Sequence, residues 1–123
     1  MTGALMATLG GGSGSGGSGT PGAVSWSNVY ATSGGATNFE TLSGITGAIT
    51  VAASNSGASQ LGYTLNGVNY TYTGAFAWPE GQSLGWYLIG AGAGTVAVTY
   101  DGGTALASFT YSITNARSGG FSP

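Results

Sequence analysis

Leu61-Gly62-Tyr63-Thr64-Leu65-Asn66-Gly67-Val68-Asn69-Tyr70-Thr71-Tyr72 is the stretch whose reading decides the fold. Two alternating runs meet at Asn66-Gly67, a dipeptide that tolerates positive φ at both central positions of a two-residue hairpin turn. The stretch therefore reads as a β-hairpin. Strand side chains alternate with period two, so Leu61, Tyr63 and Leu65 share one face of the first strand, and Val68, Tyr70 and Tyr72 one face of the second. The opposite face is small and polar. A lone hairpin is marginal in water, so this one must pack on further sheet.

Outward from the hairpin the same pattern repeats. On the N-terminal side the sequence predicts strands at about Val24 to Tyr30, at Asn38 to Leu42, and at Ala48 to Ala53 with Ile49, Val51 and Ala53 facing one way. On the C-terminal side Ala75 to Trp78 is a short strand ended by Trp78-Pro79-Glu80-Gly81, where Pro suits the second and Gly the fourth position of a type I turn. Ser83 to Ile89 places Leu84, Trp86 and Leu88 on one face and Tyr87 and Ile89 on the other, which reads as a central strand with both faces partly covered. Ala91 to Gly94 reads as a loop, followed by a strand from Thr95 to Tyr100. Asp101-Gly102-Gly103 turns the chain into Ala105 to Thr114, with Phe109, Tyr111 and Ile113 inward.

About seven to eight short strands without helical periodicity predict an all-β fold, best fitted by an antiparallel two-sheet sandwich, with a small barrel as the runner-up. The division expected is a Gly/Ser-rich N-terminal arm at residues 1–22, a sandwich at residues 23–115 and an extended tail at residues 116–123. Within the arm, Gly10 to Gly22 has the composition of flexible coil. It reads either as a linker or engineered junction, or as an assembly arm in which Leu5, Met6 and Leu9 bury themselves against neighbouring subunits.

Composition excludes more than it assigns. The 123 residues suit one domain, and 41% hydrophobic content suffices for one core. Only 3% are charged, namely Glu40, Glu80, Asp101 and Arg117, against an average of about 25%. With no Lys and a single Arg, the chain has nothing with which to neutralise a run of phosphates, so nucleic acid and anionic membranes are disfavoured as partners. Cys and His are absent, which removes disulfides, thiolate chemistry, the usual zinc sites and the commonest general base. A net charge of −2 gives little colloidal repulsion, which suits a chain that lives in an assembly. Met1 to Leu9 is apolar but short and without a basic flank, so neither a signal peptide nor membrane insertion is expected.

Candidate chemistry is sparse. The glycines of Gly10 to Gly22 lack the Lys-Ser/Thr and the strand and helix of a phosphate loop. A carboxylate pair drawn from Glu40, Glu80 and Asp101 has the composition of a glycosidase site, but Glu80 and Asp101 sit in turn sequences where acids are ordinary. Asp101-Gly102-Gly103 lacks further ligands at calcium-loop spacing. No catalytic residue, metal or cofactor is expected. Trp26, Trp78, Trp86 and seven tyrosines form either a sugar-stacking face or the core. Their phase favours the core, with Trp78, beside Pro79, as the exposed exception. Asn69-Tyr70-Thr71 matches a glycosylation sequon that, without a secretory signal, reads as incidental.

The stretch from Val24 to Thr114 resembles the small immunoglobulin-like domains of tailed-bacteriophage virion proteins. The resemblance is carried by Val24-Ser25-Trp26, Ser43-Gly44-Ile45 leading into Ile49-Thr50-Val51, Glu80-Gly81-Gln82-Ser83-Leu84, Gly94-Thr95-Val96-Ala97-Val98 and Phe109-Thr110-Tyr111. It implies a non-enzymatic immunoglobulin-like β-sandwich of a virion, in its tail, fibre or head decoration, assembled in the host cytoplasm. Its implied partners are other virion subunits and copies of itself, with a host-surface glycan as a further one. A carbohydrate-binding adhesin module and a subunit of a non-viral surface fibre are the alternatives.

Overall fold

The computed structural model describes residues 18–114, and every regular element among them is a strand. In chain order these are β1 (Ser18–Gly19), β2 (Val29–Ala31), β3 (Gly35–Ala36), β4 (Glu40–Thr41), β5 (Ile45–Thr46), β6 (Ala48–Asn55), β7 (Gln60–Leu65), β8 (Val68–Thr71), β9 (Phe76–Pro79), β10 (Ser83–Ile89), β11 (Gly92–Tyr100) and β12 (Thr104–Ile113). They form two five-stranded sheets and one ribbon. The first sheet runs β3-β10-β7-β8, with β4 also on β10; the second runs β2-β12-β11-β6-β9; β1 and β5 pair alone. The result is an all-β, sandwich-like fold.

The hairpin forms as the sequence predicts. Asn66 and Gly67 take φ of +51° and +86°, and Leu65 faces Val68 across the turn. Asn accepts the left-handed region and Gly occupies it freely, so this dipeptide closes the ladder with the right twist. Asp101 and Gly102 repeat the device at φ of +47° and +91°. There the carboxylate Oδ1 accepts from the Thr50 amide at 2.9 Å, which ties the β11–β12 turn to β6.

The core lies between the sheets. Leu61, Tyr63, Leu84, Trp86 and Leu88 face it from the first sheet, and Ile49, Val51, Val96, Val98, Phe109, Tyr111 and Ile113 from the second. Trp26 bridges the layers, 5.9 Å from Trp78 of the second sheet and 5.8 Å edge-on to Trp86 of the first. Tyr63 and Phe76 stack across the gap at 3.7 Å between centroids.

Several expectations need correction. The strand expected over Val24 to Tyr30 is regular only at Val29–Ala31. Upstream, the Asn38 side chain takes the place of a partner strand: its Oδ1 accepts from the Ser27 amide at 2.7 Å and its Nδ2 donates to the Ser25 carbonyl at 3.0 Å. The turn expected at residues 78–81 lies one residue later, closed by the Gln82 amide donating to the Pro79 carbonyl at 3.2 Å. Gly81, at φ +84°, is its third residue, which is the glycine position of a type II turn. Residues 91–94 are not a loop, because β11 already starts at Gly92. Gly92 and Gly94 are needed for close approach: an added Cβ would lie 2.5 Å from the Ser59 and Gly57 amide nitrogens respectively.

The sheets are also not wholly antiparallel, since β2 runs parallel to β12, with Tyr111, Ser112 and Ile113 opposite Val29, Tyr30 and Ala31. Twelve strand segments replace the seven to eight expected, although only seven have four residues or more. The short segments are fragments that dock on β10, β12 or each other. Finally, Val68 and Tyr70 share the inward phase of β7 but remain 52% and 44% exposed. Strand β8 is the last in its sheet, and its inward side chains are left partly open to solvent.

Candidate functional site: the outer face of the first sheet

The strand phase that buries Leu84, Trp86 and Leu88 turns Gly85, Tyr87 and Ile89 to the outside of β10, and that which buries Leu61 and Tyr63 turns Gly62 outward from β7. Both outward glycines nevertheless register as buried, because aromatic rings lie over them. A Cβ on Gly62 would sit 2.2 Å from Tyr87 Cζ, and one on Gly85 would sit 2.6 Å from Phe39 Cδ1. Each ring therefore occupies space that only glycine leaves open, a way of restoring the packing that an interior strand glycine forfeits.

The Tyr87 ring is held at its far end. Its hydroxyl donates to the Tyr70 carbonyl at 2.9 Å, so the side chain spans β7 and anchors on β8. Phe39, just before β4, keeps 57% of its surface exposed, and Ile89 keeps 54%. The rest of the face is neutral and hydrogen-bonding. Thr64 Oγ1 donates to Asn69 Oδ1 at 2.6 Å, and among the described residues the Asn69 amide nitrogen donates to none, which leaves it two donors for another partner. Thr71 stands opposite Gly62 and shares its side.

Other candidates fall elsewhere. Trp78, expected at the surface, is 0% exposed. Because the turn starts only at Pro79, Trp78 is still within β9, facing Ile49 in the ladder, and its indole N–H donates to the Gln82 carbonyl at 2.8 Å. Leu5, Met6 and Leu9 lie outside the described residues. Glu40 accepts from Asn38 Nδ2 at 2.9 Å, and Asp101 is held by Thr50, so these two acids serve local structure and are not brought together. Among the described residues no three of His, Cys, Asp and Glu gather as metal ligands would, and no helix is long and apolar enough to cross a membrane. The sequon residue Asn69 is exposed on β8.

Beneath the face, Tyr63 has its phenol pushed above its ordinary value by burial, and then by the neighbouring Tyr70, Tyr72 and Tyr87. Trp86 has a buried indole N–H without a hydrogen-bond partner among the described residues. It is enclosed by rings, with Phe76 at 5.8 Å, Tyr63 at 6.1 Å and Tyr72 at 6.3 Å.

Sequence reasoning missed Phe39 and Tyr87 as surface groups. A usable signal existed for Tyr87: an outward glycine in one strand with an aromatic residue at its cross-strand position, as Gly62 and Tyr87 are paired. Comparison with family models, curated proteins and solved structures finds no match to this chain.

Proposed function

We propose that this chain is a non-enzymatic structural subunit of a tailed-bacteriophage particle, an immunoglobulin-like sandwich fastened to its neighbours through the N-terminal arm with the first sheet turned outward. The observation that carries this reading is the division of strands between the layers. An immunoglobulin-type sandwich places its first, second, fifth and fourth strands in one sheet and its third, sixth and seventh in the other. With β3 and β4 together as the second strand, β10 and β7 complete the first set, and β6, β11 and β12 make up the other. Strands β8 and β9 are then additions at the edges, and β2, in the position of the first strand, departs from the scheme by pairing with β12 in the other sheet.

Further support comes from where the resembling segments fall. Gly94 to Val98 lies in the centre of β11, Phe109 to Tyr111 in β12, and Trp26 seals the core between the layers. A chain with 3% charged residues and two extended faces suits a fixed place in an assembly, where neighbours supply the solubility that charge would otherwise provide.

Mass spectrometry of particles purified from lysates of the source culture tests the reading. The expected result is this chain at a fixed ratio to the major particle proteins; its presence in the soluble fraction alone would overturn it. A second measurement addresses the arm. Ser18–Gly19 pairs with β5 and the Gly22 amide donates to the Ser43 carbonyl at 2.9 Å, so the truncation should stop short of them. Deleting residues 1–17 should leave the circular-dichroism spectrum unchanged and abolish incorporation into particles. Normal incorporation would reduce those residues to a spacer.

A further inference from the structure

We infer that the outer face of the first sheet is a binding site for an uncharged oligosaccharide, with Phe39 and Tyr87 as its stacking platforms. The inference rests on the reading that this sheet faces outward, and it names what the face meets there.

Three observations converge. The first is ring geometry. Tyr87 lies over Gly62 and Phe39 over Gly85, and both keep part of their surface in solvent, 57% of it for Phe39. Exposed aromatic surface matches the C–H face of a pyranose, because apolar contact area is gained while the sugar hydroxyls at its rim stay free to hydrogen-bond. The glycines place the rings on adjacent rows of the sheet, since Gly85 pairs with Thr64 and Tyr87 with Gly62. Successive sugar units can therefore each find a ring.

The second observation is rigidity. A ring fixed at both ends loses little freedom on binding, and Tyr87 is fixed by its backbone at one end and its bond to the Tyr70 carbonyl at the other. The third is the chemistry of the rim. Asn69, Thr64, Thr71 and Gln60 offer amides and hydroxyls, the Asn69 amide is already oriented by Thr64, and none of the outward residues of β7, β8 and β10 is charged. A neutral face of this kind gains nothing from an acidic sugar or a phosphate, and suits a neutral glycan.

Area argues against a second copy as the occupant. The strands of this sheet, about 4.8 Å apart and none longer than the seven residues of β10, present a face on the order of 300 Å². A standard protein interface needs about 800 Å² from each partner. A short run of sugars fits the smaller surface.

Saturation-transfer NMR on the full chain, with neutral hexasaccharides of glucose, galactose, mannose and N-acetylglucosamine as probes, tests the assignment. At least one probe should bind with a dissociation constant on the order of 1 mM or tighter. Phe39→Ala and Tyr87→Ala should each weaken it about tenfold or more. Tyr87→Phe keeps the ring and should retain most of the binding, while Thr95→Ala, on the outside of the second sheet, should change nothing. Folding of each variant is read from its circular-dichroism spectrum, and Phe39→Ala, at an exposed position, remains informative if Tyr87→Ala fails to fold.

Absence of binding across the panel, or binding that survives both alanine variants, would overturn the inference. So would a dimer in sedimentation that Phe39→Ala dissolves, which would give the face to a second copy. Particle incorporation is read separately. A chain that binds a sugar but is missing from purified particles overturns the particle reading and leaves this site standing; an incorporated chain that binds none does the reverse.

Discussion

The molecule uses its aromatic residues in two ways, and the contrast lies on either side of the same strand. On the inner side of β10, Trp86 joins Trp26 and Trp78 in a cluster from which water is excluded. On the outer side, Tyr87 lies over Gly62 beside Phe39 and remains partly in solvent. The inner rings hold two layers together, whereas the outer rings have a floor of glycine and no roof. The second sheet shows that such a surface is not an automatic result of the fold: apart from Tyr30 on β2, which lies over no glycine, its outward positions, among them Thr95, Ala97, Ser108 and Thr110, are small. Aromatic groups on the first sheet therefore represent a local choice of residues with consequences for contact, while those of the core answer to stability.

Substitutions in the core, at the turn and on the outer surfaces should separate these uses. The largest effect should come from Trp78→Ala, which removes a fully buried ring and leaves its space unfilled. The expected loss is about 3–5 kcal/mol in denaturant unfolding, and a loss below about 1 kcal/mol would place that ring at the surface after all. Gly67→Val comes next. A β-branched residue forced to φ +86° should cost about 1–3 kcal/mol, and an unchanged melting temperature would contradict the turn.

A smaller effect is expected on the outer face, where it can be dissected. Gly62→Ala should displace the Tyr87 ring, since the new methyl would occupy its position. The ring end can swing away, so the cost should be about 1 kcal/mol. In the Tyr87→Ala background the same methyl has room, so Gly62→Ala should become neutral or favourable. Simple additivity of the two changes would show that the ring does not sit over the glycine. The smallest change should follow Tyr30→Ala. Tyr30 is 70% exposed with one solvent-facing bond to Thr110, and the expected effect is within about 0.5 kcal/mol.

The pH dependence gives a further distinction between the faces. Tyr63 binds its proton more tightly folded than unfolded, its phenol being raised from 10.0 by burial and by neighbouring tyrosines. The stability associated with that group is fully present below pH 10 and is lost as pH rises through the folded value. Unfolding free energy should thus be flat between neutral pH and about pH 9 and fall above about pH 10, and Tyr63→Phe should blunt the fall. A decline of equal size in the variant would assign the effect to other tyrosines.

Where a strand is long and alternates cleanly, the sequence discloses it. Leu61 to Tyr72, Ser83 to Ile89 and Phe109 to Ile113 carry their phase in the residues themselves, and the inward sets they predict are largely those that are buried. Periodicity reports a side, however, and says nothing about whether another layer covers it, which is why Val68 and Tyr70 were legible in orientation but not in exposure. Val24 to Asn28 alternates like a strand, yet its backbone is satisfied by the side chain of Asn38, a contact across more than ten residues that no local pattern displays. Trp78 was misplaced because a one-residue shift of the turn moves it from the bend into the ladder. The outer face stayed hidden for a related reason: Gly62 and Gly85 read locally as weak strand positions, and only the register shows Tyr87 lying opposite the first of them.

The parallel pairing of β2 with β12 has a mechanical consequence. The chain enters β2 at Val29, level with Tyr111, and leaves β12 at Ile113, level with Ala31. Tension between the two ends of the domain, once the β1–β5 ribbon has peeled and the load has reached this pair, drags the strands past each other along their length. The slanted bonds between parallel strands are then loaded together in shear, where an antiparallel terminal hairpin would have opened them one at a time. Rupture under load is governed by the barrier to unfolding and not by equilibrium stability. Beyond the ribbon, tension applied through the two ends of the domain is thus met first by resistance to shear in this pair.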